Sequence, residues 1–221
     1  MGKSSAERRR QKAAEMRAQR LREERRRKII KTTGVTAAVV LVVGGVAFAG
    51  YMEYQRRTID GLQEFEGLTN NHVTEPVDYE QSPPAGGDHH AAWQNCGVYT
   101  EPLEPLHAVH SLEHGAVWVT YDPELPSDQV EQLEALYTPG SYVLVSPYEG
   151  DMPEPVVASA WSKQVAVDGP TDERLEKFLR LYERGSEVPE PGAACSGAVG
   201  MTAAEIEEAG GIQAEGMQQG R

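Results

Sequence analysis

The sequence predicts an α+β fold: one N-terminal transmembrane helix, then a compact domain with a small mixed sheet and two main helices. Three observations lead there. Residues 32–52 contain no charged side chain, an unbroken run in a chain that is 25% charged. Short segments rich in β-branched and aromatic residues recur in the second half, bounded by Pro, Gly and Ser, as strands require. Two longer segments there carry apolar residues at helical spacing.

The N-terminal part is sorted by charge. Residues 1–31 hold 13 Lys/Arg against 4 Asp/Glu, a net of +9, whereas the remainder holds a net of −22. Residues 1–28 have the composition of a solvated helix or a disordered basic arm. Beside an apolar run, a basic tail is most economically an orientation signal drawn to anionic lipid, so no nucleic-acid partner is expected. About 20 apolar residues rising ~1.5 Å each cross a bilayer core of ~30 Å. A cleaved signal peptide is the competing reading, since Ala47-Phe48-Ala49 resembles a small-residue cleavage site. The apolar run exceeds the ~7–15 residues of a signal core, and the basic region is longer than usual. The expectation is an uncleaved single-pass cell-membrane anchor, with residues 1–31 a cytoplasmic tail and 32–52 the membrane helix. Because positive flanks stay inside, the acidic body is extracytoplasmic.

Residues 53–67 form a juxtamembrane segment in which the helix continues to about residue 65. The domain itself spans residues 68–196. Residues 68–88 are loop-like, with the Pro83-Pro84 and Gly86-Gly87 pairs delivering His89 and His90. Strands are expected at 116–121 (AVWVTY), 142–146 (YVLVS), 156–161 and 164–167, the last two as a pair. One helix starts at Ser127 as N-cap and ends by Pro139-Gly140. A second starts at Thr171 as cap, buries Leu175, Phe178, Leu179 and Tyr182, and stops at Gly185. Residues 197–221 read as a disordered tail. No internal repeat is present. The two cysteines, Cys96 and Cys195, are an even count in an oxidising compartment and argue for one disulfide.

The chemistry is concentrated in His107-Ala108-Val109-His110-Ser111-Leu112-Glu113-His114-Gly115. Three of the chain's six histidines fall in these nine residues. The four-residue gap puts His110 and His114 on one face of a helix or of a strand; His107 joins them only on a helix. Imidazole is the commonest biological ligand for late transition metals.

With Pro83-Pro84, Gly86-Gly87-Asp88-His89, Trp93-Gln94-Asn95-Cys96-Gly97-Val98-Tyr99 and His110-Ser111-Leu112-Glu113-His114-Gly115 in view, the body resembles a bacterial family of membrane-anchored proteins. It is catalogued as domain of unknown function 3105, and the likeness is strongest to its actinobacterial branch. The resemblance covers about residues 65–192 and matches at His89, His110, Glu113 and His114. It implies a domain of the envelope without an established activity, sometimes found in the company of copper-handling proteins.

The leading expectation is a mononuclear metal site with His89, His110 and His114 as ligands and Glu113 as fourth ligand or orienter. His107 is a further candidate. Met152 would add a thioether suited to copper(I), against the reading of a packing methionine. The expected cofactor is copper, with zinc second. A different reading takes the formal H-x-x-E-H match at His110, Glu113 and His114 as a zinc peptidase, but Gly115 limits the helix to about two turns. A third reading is a non-enzymatic envelope interaction module with structural histidines. Ser111 beside His110 does not suggest a nucleophile triad.

Overall fold

The computed structural model describes residues 5–211. It divides into two compact units at Arg57 and Thr58. The first is a single helix, α1 (Ser5–Arg57), 53 residues long. It is long and apolar enough to cross a membrane, and the apolar side chains Val39, Leu41, Val43, Val46 and Phe48 are all exposed along it. The basic stretch after Ser4 is therefore helical. The helix ends at Arg57, short of the expected residue 65, and the residues beyond it enter the sheet.

The second unit is built on a mixed six-stranded sheet. Its strands are β1 (Gln63–Glu64), β2 (Gly97–Val98), β3 (Val117–Tyr121), β4 (Val143–Pro147), β5 (Val156–Ala160) and β6 (Lys163–Val167), in the spatial order β1-β6-β5-β3-β4-β2. β3 and β4 run parallel, and β3, β5 and β6 alternate antiparallel. A parallel pair needs a crossover, here supplied by α3 (Ser127–Glu134). β5 and β6 form a tight hairpin through Trp161 and Ser162, which takes φ 61°.

β3, β4 and β5 are buried along their whole length, which is why they read as near-continuous apolar runs. On one face Val117, Val119, Val145, Ala158 and Val165 pack against Leu133 of α3 and Leu175, Phe178 and Leu179 of α4 (Glu173–Tyr182). On the other face Trp118, Leu144 and Trp161 receive Ala108, Val109 and Leu112 of α2 (Pro105–Glu113). Among the described residues this unit thus holds four helices rather than two main ones, the last being α5 (Ala203–Glu208).

Two expected caps are corrected. Asp172, not Thr171, caps α4 by accepting the Arg174 N–H at 2.9 Å. Ser127 is the first residue of α3 rather than its cap, and Pro126 holds the cap position without a side-chain hydrogen bond. The expectation of an unstructured tail fails for residues 197–211. A capping box between Thr202 and Glu205 starts α5, Ile206 is buried, and Val199 bridges to Gln94. The rest of that expectation, residues 212–221, lies outside the described residues. Cys96 and Cys195 stand at disulfide distance, their Cα atoms 5.3 Å apart.

Candidate metal centre

The site is assembled by α2 and three loops. Pro105 opens α2 at a position where its missing N–H costs nothing. At the other end Ala116 N–H bonds to Ser111 O and Gly115 N–H to Leu112 O, both at 2.9 Å, the two bonds of a Schellman stop. Gly115 holds φ 95°, a backbone conformation that residues with a Cβ rarely adopt, and a Cβ there would sit in ordinary contact with the backbone of Arg184 and Gly185. These two ends settle the ambiguity of the spacing: the segment is helical. Ser111 Oγ donates to Gln94 O at 2.7 Å and ties the helix to the loop that precedes it.

His89 arrives on the Gly86-Gly87 loop, whose glycines hold φ 137° and 120°. Beside it runs a second loop, joined by Val73 N–H to His89 O and His89 N–H to Asn71 O. This pairing brings in His72. The third loop lies next to Cys195. Within it Glu190 N–H donates to Glu113 O at 3.1 Å.

Hydrogen bonds orient the rings of His89, His110 and His114. His89 Nδ1 lies 2.8 Å from Gly87 O, His110 Nδ1 2.7 Å from His90 O, and His114 Nδ1 2.6 Å from Ala194 O. A carbonyl only accepts, so each Nδ1 carries the proton and each Nε2 of the neutral ring is a bare lone pair. Those lone pairs face one another. His110 Nε2 and His114 Nε2 are 2.9 Å apart. His89 Nε2 is 2.8 Å from Glu113 Oε2, whose partner oxygen accepts from Asn70 at 3.0 Å. His72 Nε2 stands 3.9 Å from Glu113 Oε2, and Glu190 Oε2 3.4 Å from His114 Nε2. Acceptor facing acceptor repels unless a cation or an added proton lies between them. Burial opposes the proton at His110, holding its pKa down to about 3, although the bond to His90 O works the other way.

The donor atoms fall into two groups, each within 4.8 Å of one another: His72, His89, His110 and Glu113, and His110, His114 and Glu190. Of the expected residues, His89, His110 and Glu113 fall in the first group and His110 and His114 in the second, so the set expected around one ion is divided; the other two candidates lie elsewhere. His107 is helical yet turns to Ala92, its Nδ1 donating to Ala92 O at 2.6 Å. It pairs with the ring of His90 at 4.6 Å. Ala92 N–H in turn donates to His90 Nδ1 at 2.9 Å, and burial lowers the pKa of both rings. Met152 precedes β5, whereas His89 packs on Trp161 at the far end of that strand, about 15 Å of extended chain away.

Sequence reasoning missed His72 and Glu190. Neither sits in a spaced motif, and each reaches the site through backbone pairing of loops. Glu113 has both oxygens engaged and is 1% exposed. Neither oxygen is open to water as a general base would be. α2 has nine residues, short of the long helix of an H-x-x-E-H peptidase.

Residues 72–197 match the model of a family described as a protein of unknown function, DUF3105, which is more than half of the chain. No curated protein and no solved structure matches.

Proposed function

From its membership of the DUF3105 family and this site, we propose that the chain is a membrane-anchored protein that binds a transition-metal ion in the cell envelope, copper before zinc. The observation that carries the reading is the set of carbonyl-locked tautomers that turn the Nε2 of His89 onto Glu113 and the Nε2 atoms of His110 and His114 onto each other. Ligand histidines held by a carbonyl on their other nitrogen are the usual arrangement at metal sites.

The donor set supports copper(II) first. Metal–nitrogen bonds of about 2.0–2.1 Å drawn to His110 and His114, 2.9 Å apart, meet at roughly 90°. That is the angle of a tetragonal ion rather than of tetrahedral zinc, and copper(II) also heads the affinity order for nitrogen and oxygen donors. The absence of Met152 from the cluster removes the argument for copper(I). α1, with its basic residues before the apolar run, supports anchoring with the N-terminus cytoplasmic and the metal-binding unit outside.

The test uses the full chain purified in detergent and loaded separately with Cu(II), Cu(I) and Zn(II), then desalted and analysed for metal. Stoichiometric Cu(II) retained by the wild type and lost in the double variant His110→Ala/His114→Ala is expected. Failure to retain any of the three ions contradicts the proposal and favours structural histidines in an interaction module.

A further inference from the structure

Resting on that reading, we infer that the cluster is built for two adjacent divalent ions rather than one, each held by two imidazoles and one carboxylate. The polar contacts divide into two triads. His72 and His89 converge on Glu113, at 3.9 and 2.8 Å. His110 and His114 face each other at 2.9 Å, and Glu190 closes on His114 at 3.4 Å. The grouping by donor distance differs only at His110, which belongs to both groups. One ion with bonds of about 2.0–2.2 Å reaches donors no more than about 4.4 Å apart, so it would use only part of the set.

His110 is the wall between them. Its ring stacks on His72 at 5.0 Å and meets His89 edge-on at 4.8 Å, while its Nε2 belongs to the pair with His114. Its donor atom lies within 4.8 Å of those of His72, His89 and Glu113, compatible with a two-ion centre whose ions stand about 3.5–4 Å apart.

Each triad has one exposed member. The side chains of His72 and Glu190 are 47% and 52% exposed, against 2% or less for His89, Glu113 and His114. Each ion therefore has its own approach from solvent past a single movable donor. Three protein donors per ion leave positions open for water, hydroxide or a bridging anion. A polar hydrogen stands nearby: the buried indole Nε1–H of Trp93 has no hydrogen-bond partner among the described residues, and its ring lies 5.1 Å from that of His114 and 5.9 Å from that of His110.

The test is a Cu(II) titration of the metal-free full chain in detergent, followed by equilibrium metal analysis and electron paramagnetic resonance. The wild type should take two equivalents, and the integrated spin signal should fall as the second binds beside the first. His72→Ala and Glu190→Gln change exposed side chains, and each should weaken one of the two ions at least tenfold and restore an uncoupled signal. A single equivalent in the wild type overturns the two-ion centre and leaves the one-ion reading standing. No binding overturns both. Two equivalents with full, uncoupled intensity overturn it as well, because the second ion then sits elsewhere.

Discussion

Replacing Cys96 and Cys195 together by Ser should both destabilise the protein and loosen its metal site, through one segment. The cysteines are 99 residues apart, and closing a loop of that length is worth on the order of 4–5 kcal/mol in the chain-entropy model. Against a usual total of about 5–15 kcal/mol, that loss leaves the metal-free variant marginal. The site suffers because Cys195 anchors the loop that carries Ala194 and Glu190. Ala194 O takes the Nδ1 proton of His114 at 2.6 Å, and Glu190 lies 3.4 Å from His114 Nε2. Losing the carbonyl that orients a ligand histidine typically costs about 10–100-fold in metal affinity. Urea unfolding followed by tryptophan fluorescence suits the first half, because Trp93, Trp118 and Trp161 all belong to the globular unit. Calorimetric Cu(II) titration suits the second. With the wild-type cysteines verified as paired, a stability change under ~1 kcal/mol or an unchanged affinity refutes the reasoning.

Other consequences are separable. His107→Ala should leave metal binding intact and cost about 1–3 kcal/mol for the orphaned Ala92 carbonyl, read by metal titration beside urea unfolding; loss of the ion would place His107 in the site after all. Gly115→Ala forces a Cβ onto φ 95°, a cost of about 1–3 kcal/mol, and should displace His114, seen as a lower melting temperature with weaker metal binding. For pH, burial keeps His90, His107 and His110 below the ordinary imidazole value, His110 at about 3. The unfolded chain then binds more protons, so the stability of the metal-free protein is complete above about 6.5 and drains away as pH falls toward about 3. Melting temperatures across that range should fall monotonically; a flat profile contradicts the burial of these rings.

Most of the sheet was legible because its strands are short, β-branched and buried, so composition alone marks them. The expected segments at 116–121, 142–146, 156–161 and 164–167 correspond within a residue or so to β3, β4, β5 and β6. The central histidine stretch was legible as chemistry but not as structure. A four-residue gap converges on helix and strand alike, and only Pro105 and the Gly115 stop decide between them. Even then i,i+3 spacing did not carry His107 to the cluster, because Ala92 and His90 capture its ring from the other side. His72 and Glu190 were hidden for a different reason: loops that meet through backbone hydrogen bonds leave no periodic trace. α5 did carry a readable signal, the Thr202-x-x-Glu205 capping box, which the Gly- and Ala-rich composition around it masked.

The most direct test of the metal centre is a crystal of the Cu(II)-loaded protein measured on both sides of the copper absorption edge. An anomalous peak is expected about 2.0–2.1 Å from both His110 Nε2 and His114 Nε2, with the Nδ1 atoms still on the carbonyls of His90 and Ala194. A peak bound through Nδ1, or none among these side chains, would contradict it.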